Sequence, residues 1–165
     1  MKKGFGLLSL LWILFLSWCG WSMSVVEYND SLVNIVKECT DSTQELFKDF
    51  NLDDANIDSI TEALQDSITV CQNSQVKASE LWNYEKDSSL KDAVSELLTL
   101  EIDYLQKFVA TSHYRNIDNI TEEDKAEYDW IVSDLNETQN ALNQQFTKLQ
   151  EEQEIFAAKY ALKLE

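Results

Sequence analysis

Apolar positions between Val25 and Leu162 recur at alternating steps of three and four, which puts them on single stripes of helices rather than on alternate faces of strands. The stripe Val25, Tyr28, Leu32, Val36, Cys39, Thr43, Leu46 and Phe50 predicts a helix from about Val25 to Phe50. Ile57, Ile60, Leu64, Ile68, Cys71, Gln75, Ala78 and Trp82 predict a second, with Ser59 and Glu62 spaced as a capping box near its start. Leu90, Val94, Leu97, Tyr104, Leu105, Phe108 and Val109 predict a third, from Leu90 to about Tyr114, its face widened by Leu98 and Leu100. The fourth stripe is the longest: Tyr128, Val132, Leu135, Gln139, Leu142, Phe146, Leu149, Gln153, Phe156 and Tyr160 form a heptad interrupted by two glutamines, in a helix from about Glu122 to Leu162.

The connections follow from what separates these stripes. The chain has no proline, and its only glycines are Gly4, Gly6 and Gly20, so Asp and Asn are expected to do the turning at Asn51, Asp53, Asp54 and Asn56. A break is expected around Asp87-Ser88-Ser89, with Ser89 and Asp92 as a cap. Unbroken, a helix from Ile57 to Tyr114 would span about 87 Å and could not pack compactly. Arg115 to Ile120 make the third connection, and Thr121 with Asp124 mark the clearest helix start in the chain. The result is an all-α, antiparallel bundle of about four long helices, the last one longest, with its end projecting beyond the bundle.

Cys39 and Cys71 test that layout. They are equidistant from Ala55, so a turn centred there brings them face to face between antiparallel neighbours, where a disulfide would pin the register. Two buried reduced thiols on apolar faces are the alternative.

The first 24 residues differ from the rest. Met1-Lys2-Lys3 precedes a 14-residue apolar run, Phe5 to Trp18, and this is the layout of a bacterial export signal, short for a membrane span of about 20 residues. Leu16-Ser17-Trp18-Cys19 resembles a bacterial lipobox in Leu16, Ser17 and Cys19 and departs from it at Trp18, where a small residue is usual. The resemblance implies acylation of Cys19 and cleavage between residues 18 and 19. Ser22-Met23-Ser24 offers an ordinary signal-peptidase site instead, and a retained anchor is the third alternative. Lys2-Lys3-Gly4-Phe5 also resembles a type IV pilin leader, but Ser9 stands where that leader has an acidic residue. Residues 1–24 are thus read as an export signal and residues 25–165 as a single helical domain.

Composition narrows the function classes. With 165 residues, 44% hydrophobic and 26% charged, and a mean hydropathy of −0.32, the chain has the balance of a globular domain. Its net charge is −17, or −19 without Lys2 and Lys3, which repels phosphate backbones and speaks against nucleic-acid binding. Membrane contact is expected only through the N-terminal segment or a lipid on Cys19.

Candidate chemistry is sparse. The only histidine is His113, and Ala110 occupies the position where a Glu-x-x-His metal pair would place its acid. Asp49-x-Asn51-x-Asp53 begins like a calcium loop, but the sixth position is Asp54 and the twelfth is Ile60. Asn29, Asn119 and Asn136 match the glycosylation acceptor pattern, read as chance behind a bacterial-type leader. No nucleophile motif, phosphate-cradling loop or zinc ligand set appears, so no catalytic residue, metal or cofactor is assigned. Trp130, off the apolar stripe of its helix, beside Tyr114 at the third connection, is the candidate partner surface. The expectation is a non-enzymatic exported protein, tethered to the envelope or secreted, that binds another protein. A bundle holding a small ligand or a cation is the alternative.

Overall fold

A capping box opens the first helix. In the computed structural model, which describes residues 23–49, 57–116 and 121–162, Ser24 accepts the Glu27 N–H at 3.2 Å and the Glu27 carboxylate accepts the Ser24 N–H at 2.7 Å. The leader with Cys19, Phe50, the rest of the calcium-like loop through Asn56, and Asn119 lie outside the described residues.

Four helices follow: α1 Val25–Asp49, α2 Ile57–Glu80, α3 Ser89–Ser112 and α4 Glu122–Lys159, with a short 3₁₀ turn His113–Asn116 after α3. No strand occurs among the described residues. Successive helices run antiparallel. Cys39 and Cys71 are bonded between α1 and α2 with their Cα atoms 4.6 Å apart, and Ser42 reaches Ser67 at 3.2 Å one turn further on. Gln75 and Thr61 on α2 meet Thr99 and Ser112 on α3. Thr121 and Asp124 form the expected box at the start of α4.

The core is built from the stripes of α1, α2 and α3. Tyr28, Leu32, Leu46, Ile60, Leu64, Ile68, Leu90, Val94, Leu98 and Leu105 are all buried, each contributing roughly 1.5 to 3 kcal/mol on removal from water. Ile35 joins them outside the expected stripe. Trp82 does not, because α2 ends at Glu80 and leaves the indole exposed in the connection.

The α2–α3 break is real and is made without glycine. Glu85 and Lys86 take left-handed φ angles of 48° and 70° between Tyr84 and Asp87, whose N–H bonds back to the Tyr84 carbonyl at 2.8 Å. This tight turn normally calls for Asn-Gly. Its surroundings hold it: Lys159 pairs with Asp87 at 2.7 Å, and Lys91 donates to the Leu81 and Ser79 carbonyls. Two expected caps change. Asp87, not Ser89, accepts at the start of α3, taking the Ser89 N–H at 3.1 Å, and α2 begins two residues before Ser59.

α4 has 38 residues, about 57 Å, against 24 in α3. Its projecting end is the N-terminal one: residues 122–127 run past Tyr114 and are exposed apart from the half-buried Asp124. The other end is docked. Phe156 and Ala157 are buried, and the helix closes with Ala161 at φ 55° and the Leu162 N–H on the Ala157 carbonyl at 2.8 Å.

Candidate functional site

α4 packs along α3 and stays apart from α1 over most of its length, although α1 and α3 touch directly. The cause lies in the polar ties between α3 and α4. Lys107 on α3 holds Asp103 at 2.8 Å, Asp134 at 2.9 Å and the Thr138 hydroxyl at 2.7 Å. The Asp pair holds the Lys107 ammonium pKa up against burial, which acts first and pulls it down. Gln145 donates to the Ala93 carbonyl at 2.9 Å, and Lys148 pairs with Glu96 at 2.7 Å.

These ties turn Ile131, Thr138 and Gln145 toward α3. The apolar heptad of α4 is therefore rotated off α3 by about half a residue, roughly 50°. Leu142 and Phe156 remain buried, Leu135 and Leu149 are half-buried, and Tyr128, Gln139 and Phe146 are exposed, Phe146 at 38%. This corrects the expectation that the whole stripe faces the core.

The displaced stripe borders an open seam between α1 and α4. Its floor is Leu32, Leu90 and Val94, one wall is Val33 and Val36 on α1, and the other is Leu149 and Gln153 on α4. Val33 is 43% exposed. Asn29 and Gln153 bridge one end at 3.4 Å, beside an aromatic cluster in which Tyr28, Tyr84, Phe156 and Tyr160 stand 4.7 to 6.0 Å apart. The cavity in the seam holds about 120 Å³, well below the roughly 300 to 1,000 Å³ of small-molecule pockets.

The expected aromatic patch is not joined. Tyr114 packs on Tyr128 at 5.6 Å, and Trp130 lies two residues further along, about 200° around the helix, 67% exposed and on another side. His113 is exposed at the end of α3. Ile60, the twelfth position of the calcium-like loop, is a core residue. Among the described residues no three His, Cys, Asp or Glu side chains gather as a metal site, and no helix is long and apolar enough to cross a membrane.

One buried acid has no counterpart in the expectations. Glu101 on α3 is 6% exposed beneath Thr43 on α1, and burial pushes its carboxyl above the ordinary range. The Thr43 hydroxyl, which also donates to the Cys39 carbonyl at 3.2 Å, makes a hydrogen bond to Glu101 that offsets part of that rise. Among the described residues, the side chain bonded to Glu101 is the Thr43 hydroxyl and not a second carboxylate.

No protein family, curated protein or solved structure matches the chain.

Proposed function

We propose that this chain is an exported, non-enzymatic bacterial envelope protein whose helical domain binds protein through the α1–α4 seam. One observation carries the reading: a heptad stripe suited to pairing with a helix is turned off its own neighbour and left part-exposed beside an apolar groove, with Phe146 and Val33 at its edges. The leader and the Cys39–Cys71 bond support an exported location, since disulfides persist outside the reducing cytosol. Tethering through Cys19 or the N-terminal segment would display the domain at the membrane surface; cleavage without acylation would release it. The non-enzymatic character rests on the missing motifs. Within the seam, the size of the cavity disfavours the small-ligand alternative.

Photo-crosslinking residues placed at 33 and 146, with 69 on the exposed far face of α2 as control, test the reading in the source organism. Adducts of one defined mass, identified by mass spectrometry, are expected from 33 and 146 and not from 69. Adducts absent from the seam, or equally frequent at 69, would sink it.

A further inference from the structure

The seam is distinguished by charge as well as by exposure. Around it stands a chain of net charge −17, in which 26% of residues are charged. Yet the α4 stripe carries no charged residue from Val132 to Gln153, and its outer flank is the amides Asn136, Asn143 and Gln150. On the facing side of α1, Asn29, Val33, Val36 and Thr40 are uncharged, and the two charges beside Val33, Asp30 and Lys37, are of opposite sign. Apart from Asp30 and Glu154 at its borders, the acidic side chains of both helices lie on other faces.

From this we infer that the seam is a self-association surface, and that its occupant is the same seam of a second copy of this chain. The inference rests on the reading of the seam as the protein-binding surface and names the partner. A basic partner would be drawn to the acidic faces and would gain nothing from a neutral strip. Two copies of an equally acidic chain have the opposite requirement. Any other pairing of faces sets carboxylate against carboxylate within the screening length of about 10 Å, whereas seam against seam keeps those charges on the outside. The shape is self-complementary as well. Each copy offers a projecting ring, Phe146, and one turn away a cavity of about 120 Å³ between Val33 and Leu149. A two-fold axis across that turn brings each ring to the other copy's cavity, the isologous arrangement in which one patch serves both partners. Gln139, an exposed polar residue within the otherwise apolar stripe, sets the register as polar residues do in coiled-coil seams.

Sedimentation equilibrium on the purified, oxidised mature protein tests this, in dilute buffer and in about 1 M sodium chloride, where the screening length falls to about 3 Å. The expected result is a monomer–dimer equilibrium about tenfold or more tighter at high salt, because screening removes the repulsion between the outward acidic faces. Phe146→Asp and, on the opposite wall, Val33→Asp should each abolish the dimer with the helical content unchanged, while Trp130→Asp should dimerise like the parent. A protein monomeric under all conditions, a dimer weakened by salt, or one indifferent to both seam substitutions would overturn the inference. In the crosslinking experiment, adducts of twice the chain mass support both conclusions. Adducts to a different protein keep the seam as a binding surface and overturn the second copy, and no seam adduct overturns both.

Discussion

Gln145 and Phe146 are neighbours on α4 with inverted roles: the amide is 5% exposed and bonded to the Ala93 carbonyl, while the ring beside it is 38% exposed at the seam. A helix that followed its apolar pattern would bury the ring and expose the amide. The hydrogen bonds of Thr138 and Gln145 and the ion pairs of Asp134 and Lys148 hold α4 in the other orientation, and the part-exposed seam is the consequence.

The Ser24–Glu27 box bears on processing. Met23 packs against the core and Ser24 caps α1, so removal of the leader should leave both in place. The intact mass of the mature protein is expected to begin at Cys19, with its acyl groups, or at Met23. A mass beginning at Val25 would contradict the role given to Ser24, whose loss costs about 1 kcal/mol.

Reducing the Cys39–Cys71 bond opens a loop of sequence separation 32, and in the chain-entropy account such a bond stabilises by about 3 to 4 kcal/mol. Urea unfolding with and without reductant should differ by about that much. Equal midpoints would show that the bond is absent or that the unfolded chain is already constrained.

Left-handed Lys86 and Ala161 occupy conformations that glycine adopts without a Cβ clash. Lys86→Gly and Ala161→Gly are each expected to raise stability by about 0.5 to 1 kcal/mol, after the extra freedom glycine gives the unfolded chain. A loss at position 86 would mean that the Lys86 side chain makes a contact worth more than the backbone strain.

Glu101 should give a pH dependence opposite to that of a paired carboxylate. Burial raises its folded pKa, so between the ordinary value of about 4.3 and the raised one the folded state holds a proton that the unfolded chain has released. Its contribution is fully present below the unfolded value and is lost as pH rises through the folded value. Glu101→Gln, whose amide can donate to Thr43, should therefore be more stable than the parent at neutral pH, with the difference vanishing below about pH 4. Thermal melts of both proteins across that range check it. A variant less stable at neutral pH would show that the ionised carboxylate is the favoured form.

Much of this architecture was legible because periodicity and position carry it. The stripes of α1, α2 and α3, the facing of Cys39 and Cys71 and the box at Thr121 all follow from spacing. The site was not legible in the same way. A heptad states which residues of α4 share a face, but not which neighbour receives that face. That choice is made by long-range polar partners such as Lys107 with Asp134 and Gln145 with Ala93. The turn at Glu85 and Lys86 was hidden because neither residue favours positive φ and tertiary contacts enforce it. Ser24 was hidden because it also suits a leader cleavage site. Glu101 sits between two apolar runs, where an acid reads as a solvated position.

The orientation of α4 is tested most directly by urea unfolding of Gln145→Asp and Phe146→Asp side by side, in dilute low-salt solution where repulsion keeps the chains apart. The account predicts that Phe146→Asp changes stability by no more than about 1 kcal/mol, as at a part-exposed position, while Gln145→Asp loses about 3 kcal/mol or more by burying an unpaired charge. The reverse order would put the apolar stripe against α3 and remove the seam as a binding surface.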